Sequence, residues 1–442
     1  MSENIVLKKG LDIPISGCAS LFVSKSMIPA YVAVQPDGVK GLLPRLLVKE
    51  GDRVLCGSPV IADKKNPDIL LCAPASGTVK EVVRGEKRKL LAVLIETDAT
   101  QEYARIDTSN VKTALLQSGL WTLFTQRPYG IMADPAITPK AIFVSAFHTA
   151  PLAADLEFTL GDQGQAIQKG IDALGEIAPV HVSLNGAISN SAFSALKGCT
   201  IHRFKGKHPA GNVGVQISHI SPILKGETVW TINLNGLAAV GRLMASGRVD
   251  VRRKVAVCGP AALQPSYVET LPGTPVKDFA PFYGNSADEV RIISGDPLSG
   301  VSVGLDGYLG WNDDQLTIIH EGYDKELLGW IRPLRFNQFS SDRSYFSWLL
   351  PGKKYDMSTN LHGGPRPFLM NENYYTKVLP MDIYPVFLAK ACLAGDIEKM
   401  EKFGIYEVLP EDLALCEFVD PSKCYIQDMI AQGIDLMIKE MA

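Results

Sequence analysis

Apolar positions in the first hundred residues come in short runs with turn formers between them. The runs Tyr31–Val34, Pro44–Val48, Pro59–Ala62, Ile69–Ala73, Gly77–Val83 and Lys89–Thr97 are punctuated by Asp37-Gly38, Glu50-Gly51-Asp52, Asn66-Pro67-Asp68, Ala75-Ser76-Gly77 and Gly85-Glu86. Such runs read as strands, and their close spacing predicts a small barrel or sandwich. From Asn110 the period changes. Val111, Leu115, Leu116 and Leu120 share one helix face, which ends near Gly119. Strands are then expected over Ala141–Ala146, Val180–Leu184 and Thr200–Arg203, with helices over Ala166–Leu174 and Ser191–Leu196. That alternation predicts a doubly wound α/β layer. After Gly259-Pro260, short strands return at Glu289–Ile293, Val301–Val303 and Gln315–His320, forming a small α+β module. The apolar-periodic segments Tyr384–Cys392, Asp396–Phe403, Pro410–Glu417 and Gln427–Met441 predict a helical end domain, some of them opened by Pro or Asp.

A chain of 442 residues suits three or four units at roughly 100–200 residues each. With 46% hydrophobic and 21% charged residues it lies far from disordered compositions. Lys plus Arg number 44 against 47 Asp plus Glu, so no basic field favours a nucleic-acid partner. Apolar runs such as Ala141–Val144 fall far short of the ~20 residues that span a bilayer. Met1–Gly10 lacks the apolar core of a secretory leader, and the expectation is a cytoplasmic protein.

The eight cysteines, at 18, 56, 72, 199, 258, 392, 416 and 424, include no Cys-x-x-Cys pair. This argues against a zinc ribbon, a dithiol motif or a complete iron–sulfur cluster, and for reduced, mostly buried thiols. Dinucleotide and phosphate-binding glycine motifs are absent, and His320-Glu321-Gly322 lacks the second histidine that zinc needs. His202 and His208 flank Lys205 and Lys207 in a polar loop. Lys87-Arg88-Lys89 and Arg252-Arg253-Lys254 read as solvated charge, suited near a membrane to anionic lipid.

The segments Leu47–Val54, Gly57 and Ala73–Val79 resemble a biotinyl/lipoyl-type barrel-sandwich hybrid, whose tight hairpins Gly51-Asp52 and Ser76-Gly77 serve. In carrier domains of that fold a modified lysine sits on the hairpin tip; here Asp63-Lys64-Lys65-Asn66 takes that stretch without the biotin Met-Lys-Met. Six further stretches follow in one order: Lys9–Ile15, Ser118–Thr122, His208–Gly211, Glu289–Gly295, Asp324-Lys325-Glu326-Leu327 and Glu411–Cys416. Together they make nearly the whole chain resemble the A-subunit family of sodium-translocating NADH:quinone reductases. That family is similar in turn to the C subunit of the Rnf complex and to the flavin-carrying, NADH-oxidising subunit of respiratory complex I.

The resemblance implies a multidomain α+β and α/β fold. Its expected units are a barrel-sandwich hybrid over 1–100, a Rossmann-like α/β domain over 101–256, a β-grasp-like SLBB domain over 257–335, and a helical domain over 336–442 that is a degenerate iron–sulfur domain. The flavin-binding relatives carry a Gly-x-Gly-Gly-Ala-Gly-Phe-Pro-Thr loop, in which bare backbone approaches phosphate and ring. The corresponding Trp121–Gly130 has side chains in place of the inner glycines, and Val144–Pro151 lacks both carboxylates of the relatives' acidic segment. Of the relatives' cluster cysteines, Cys416-Glu417-Phe418-Val419-Asp420-Pro421 retains one cysteine and the proline, with Cys424 nearby.

The expectation is therefore a subunit with no catalytic, cofactor or metal residues of its own, the NADH, flavins, iron–sulfur centres and ubiquinone belonging to the whole complex. Its expected partners are the other subunits, especially the membrane-embedded ones, at the cytoplasmic face of the bacterial inner membrane. Its expected role is assembly, with quinone near the loop Trp121–Asp134. The quinone-proximal candidates are Trp121, Phe124, Arg127, Tyr129, His148 and His208. Two other readings stay open: an independent flavin or NADH oxidoreductase of the same fold, and a biotin- or lipoate-type carrier using Lys64 or Lys65.

Overall fold

The computed structural model describes residues 4–441 apart from 285–288, 325, 333 and 367–369. Met1 and Lys325, named above in the leader and family stretches, lie outside the described residues. Two antiparallel sheets make the N-terminal barrel-sandwich. One runs in the order Tyr31–Val34, Leu90–Thr97, Gly77–Arg84, Arg53–Val54, and the other Pro44–Leu46, Pro59–Asp63, Leu70–Cys72. Val32, Ile61, Leu71, Val79, Val93 and Ile95 close the space between them. Gly51 sits at a φ of +87° in its turn, a conformation that glycine adopts at no steric cost.

A seven-stranded sheet forms the α/β layer in the order Asn4–Val6, Thr200–Lys205, Val180–Asn185, Ile142–Ser145, Val229–Thr231, Thr125–Arg127, Ile131–Met132. The first five are parallel and the last two antiparallel. Helices Gly164–Gly175 and Leu234–Ser246 pack together through small residues. A Cβ on Gly241 would run into the carbonyl of Ala166, and one on Gly170 would press on the carbonyl of Leu237.

The β-grasp-like module is a six-stranded mixed sheet in the order Val301–Ser302, Val290–Ser294, Gln315–His320, Arg253–Cys258, Ser266–Thr270, Ser20–Ser26. Helices Glu372–Val378, Pro385–Ala394, Ile397–Phe403, Ala414–Val419 and Ile426–Met441 make the end domain around Met400, Cys416, Ile430, Ile434 and Met437.

Three features depart from the expected pattern. Strands Asn4–Val6 and Ser20–Ser26 leave the N-terminal barrel and join the two later sheets. Strand Arg253–Cys258 begins the third sheet ahead of residue 257. Ser191–Leu196 is a turn rather than a helix: Ser194 N–H donates to the Ser191 carbonyl, and Phe193 N–H to the Ser191 hydroxyl. Such local serine bonds compete with helix formation.

Candidate functional site

In doubly wound sheets ligands bind outside the carboxyl ends of the strands, where the strand order reverses. Here that point lies between Ile142–Ser145 and Val229–Thr231. The loop after the first strand carries His148, and the helix after the second begins at Leu234 with Asn233 as its cap. The crevice is occupied by the protein's own chain. Asn312–Gln315, from the β-grasp-like module, reaches into it. Asn233 Nδ2 donates to the Asn312 carbonyl at 3.1 Å, Asn235 Nδ2 to Asp314 Oδ2 at 2.9 Å, and Gln315 Nε2 to the Pro151 carbonyl at 3.2 Å. His148 Nε2 lies 3.4 Å from the same Asp314 oxygen.

Burial works against the charge on His148, but Asp314 more than offsets it, and the imidazole titrates above its ordinary value. Asp314, despite its own burial, is held below the usual carboxylate range by His148 and Arg253. Beside it, burial brings the Arg253 guanidinium down to about 10, while its Nη1 donates to the Asp313 carbonyl at 3.3 Å. A carboxylate thus lies beside this helix start, held by the Asn235 side chain, while Asn233 caps the Gly236 N–H.

The six sequence candidates do not form one site. Trp121 and Phe124 are fully buried and meet Trp230, with ring centroids 5.3 to 6.0 Å apart and Trp121 Nε1 donating to the Ala133 carbonyl at 2.8 Å. The expected apolar groove at this loop is, for these two side chains, packed core: large rings fill the space they border. Arg127, also buried, reaches the helical domain at Asp412 (2.9 Å) and Glu411 (3.0 Å). Tyr129, at a φ of +86°, packs edge-on to Tyr406 of the same domain. His208 is buried, and burial lowers its pKa, favouring the neutral ring; its Nδ1 lies 3.2 Å from the Thr149 hydroxyl. His148, in the 147–149 loop, and His208, against Thr149 of the same loop, bond different partners, apart from the aromatic cluster.

A second concavity, of about 850 Å³, was not expected from the sequence. It opens between the β-grasp-like module, the 337–366 segment and the 414–427 stretch of the helical domain. Phe339 and Phe418 stack at 6.4 Å on its wall, with Tyr355 6.1 Å from Phe339. Lys423 lies 5.5 Å from the Phe418 ring and its Nζ donates to the Phe418 carbonyl at 2.6 Å; burial lowers its pKa. Arg291 is fixed bidentately on Glu321, which also accepts from Thr359 at 2.7 Å. These parts come from segments far apart in sequence. The only local sign was the aromatic and hydroxyl-rich, aperiodic run Asn337–Tyr345.

Family models match the chain in three places: the NqrA N-terminal barrel-sandwich hybrid domain over residues 5–98, the NqrA second alpha/beta domain over 106–249, and the NQRA C-terminal domain, an SLBB domain, over 254–304. The A subunit of the Na(+)-translocating NADH-quinone reductase of Rhodopirellula baltica is 35% identical, over 98% of this chain and 98% of its own. The protein of the same name from Serratia proteamaculans is 37% identical over 95% and 96%, and that of Vibrio anguillarum 35% over 99% and 100%. The chain belongs to the A-subunit family of Na(+)-translocating NADH-quinone reductases.

Members of this family are named as one component of an oxidoreductase complex, so enzyme status here is that of one subunit. Among the described residues no helix is long and apolar enough to cross a membrane, and no group of three His, Cys, Asp or Glu is placed to hold a metal ion. Cys416 is fully buried and burial pushes its thiol up, while Cys424 N–H donates to Asp420 at 2.9 Å. Lys64 and Lys65 stand exposed on the turn between Pro59–Asp63 and Leu70–Cys72, where Asp63 accepts the N–H groups of Leu43 and Asn66, both at 2.8 Å.

Proposed function

We propose that this chain serves its NADH-quinone reductase as a peripheral subunit on the cytoplasmic face of the membrane. It meets the membrane-embedded subunits and holds no flavin, NADH or iron–sulfur cluster of its own. The observation that carries the reading is the crevice closed by Asp314, His148 and Asn235, because a dinucleotide phosphate would have to displace a hydrogen-bonded carboxylate. The four-unit division, with its second boundary moved from 256 to just before strand Arg253–Cys258, belongs to the same reading.

Quinone, in this proposal, enters the cleft beside Phe339 and Phe418 rather than the Trp121–Asp134 loop. A quinone head needs an aromatic slot with a few polar donors, and Lys423 and His362 supply donors there. Trp121, Phe124, Arg127 and Tyr129 brace the α/β layer and its contact with the helical domain, and His148 and His208 order the loop between them.

The test is to titrate a short-chain quinone into the purified chain and into Phe418→Ala and Phe124→Ala. Losing one stacked ring weakens binding roughly 3- to 10-fold. That loss is expected in Phe418→Ala and not in Phe124→Ala; the reverse pattern moves quinone back to the loop. Visible absorbance of the same sample reads the cofactor content, and a flavin band that bleaches with NADH overturns the cofactor-free assignment.

A further inference from the structure

Residues 323–361 carry a surface that neither the crevice nor the cleft accounts for. Leu327, Leu334 and Ile331 are exposed by 92%, 70% and 55%, and Trp348 and Leu349 by 48% and 53%. Ile331, Trp348 and Leu349 sit on two short turns, Gly329–Ile331 and Phe346–Leu349, that are held together, with Leu327 and Leu334 flanking the first. Phe336 and Phe346 rings lie 6.2 Å apart, Lys353 Nζ donates to the Phe336 carbonyl at 2.9 Å, and the Tyr345 hydroxyl reaches the Gly329 carbonyl at 3.5 Å. Apolar exposure of this density marks an interaction surface.

Its charge says what kind. This segment carries six Lys and Arg against four Asp and Glu, in a chain whose net charge is -3. Arg343 lies 5.3 Å over the Trp348 ring, and Lys353 and Lys354 are both exposed beside the second turn. Lysines are depleted at protein–protein interfaces, whereas Trp with basic neighbours suits the headgroup level of a bilayer.

We propose that the turns around Ile331 and Trp348 are a bilayer-docking surface, with Leu327, Ile331, Leu334, Trp348 and Leu349 entering the interface and Arg343, Lys353 and Lys354 engaging anionic phospholipid headgroups. This rests on the reading of the chain as a peripheral subunit. It adds a consequence: Tyr345 and Leu361 of this segment line the cleft, so docking places its mouth next to lipid, where a lipid-soluble ligand is concentrated.

The experiment is co-sedimentation of the full chain with phosphatidylcholine vesicles and with vesicles containing one quarter phosphatidylglycerol. Binding is expected on the anionic vesicles and weakly or not at all on the neutral ones. Lys354→Ala removes one surface charge without touching the Lys353–Phe336 bond and is expected to weaken partition roughly 5-fold. Trp348→Ser/Leu349→Ser is expected to abolish retention, with unchanged melting in both variants showing that the fold is kept. Equal binding to both vesicle types, or binding unmoved by either variant, overturns the proposal. So does absence of vesicle binding with these turns protected from hydrogen exchange only in the assembled reductase, which assigns the surface to a neighbouring subunit. Co-purification of the variants with the other subunits reads the peripheral assignment separately, so the two readings fail by different results.

Discussion

Replacing Asp412 by asparagine tests how the α/β layer is fastened to the helical domain. Arg127 and Asp412 are both buried, and their ion pair at 2.9 Å joins the end of strand Thr125–Arg127 to the turn at Pro410–Leu413. A Cβ on Gly214 would collide with both side chains, so the wall they pack against leaves little room to relax. Asparagine keeps an oxygen for the Leu409 N–H, which donates to Asp412 at 3.0 Å, and removes the charge while placing an NH2 group at the buried Oδ1 position. Leaving a buried ion without its partner costs about 3–5 kcal/mol. Glu411, 3.0 Å from Arg127 but 40% exposed, still compensates the arginine in part, which puts the loss near the lower end, about 3 kcal/mol. Arg127→Met strands the Asp412 carboxylate and is expected to cost a similar amount. The double variant buries no charge and should fall within about 1 kcal/mol of the parent, a coupling well beyond additivity. Urea unfolding followed by the fluorescence of Trp121 and Trp230 reads this, since Trp230 pairs in register with Gln126, next to the arginine. A loss under about 1 kcal/mol in Asp412→Asn, or single losses that simply add in the double, refutes the argument.

Two more predictions concern the crevice and the helix pair. The pKa of His148 is raised, so its contribution is complete below its ordinary value of about 6.5 and is lost as pH rises through the higher folded value. Asp314 is lowered, so its contribution holds above about 3.9 and fades as pH falls through the lower folded value. The melting-temperature gap between the parent and His148→Asn is therefore expected to be widest between those limits and to narrow on the alkaline side; a gap that widens there contradicts the pairing. Gly241→Ala presses a methyl group on the Ala166 carbonyl and should cost at least about 2 kcal/mol, whereas Gly175→Ala, with open space around it, should be neutral or gain up to about 1 kcal/mol. Similar melting of the two variants removes the close helix contact from the account.

The N-terminal barrel was legible because its signals are local. Gly51-Asp52 sets a turn as expected, whereas Gly77 opens a strand instead of closing a hairpin, and the burial pattern of Gly77–Arg84 begins with the alternation its valines suggest. Ser20–Ser26 was illegible for the opposite reason. It is exposed along its whole length and polar at four of seven positions, and its partner strand lies some 240 residues later. No hydrophobic face marks a strand that only borders a sheet. The helical end domain was readable from its caps, with Asp396 accepting the Lys399 N–H and Gly395 and Gly404 in the left-handed region. The crevice was half legible: His148 stood out as a polar residue in the loop after a buried strand, while its partner Asp314 comes from another sheet, and pattern reading does not pair residues across units.

In the Trp121–Asp134 loop, two of the candidate side chains, Trp121 and Phe124, are packed core. Side chains in place of bare glycines suggested a groove with new lining, yet Trp121 and Phe124 turn inward and fill the volume. A residue that replaces a cofactor-binding glycine has two physical outcomes, a new wall or a plug, and close packing favours the plug wherever a neighbouring ring is within reach, as Trp230 is here. Polar groups are likewise paired within the protein at the strand crossover, where Asp314 accepts from Asn235, and at Arg127, which pairs with Asp412 and Glu411. Each of these contacts joins two sheets or domains. On the cofactor-free proposal, such contacts trade ligand positions for links between domains, and those links would hold the proposed cleft and docking surface in a fixed relation.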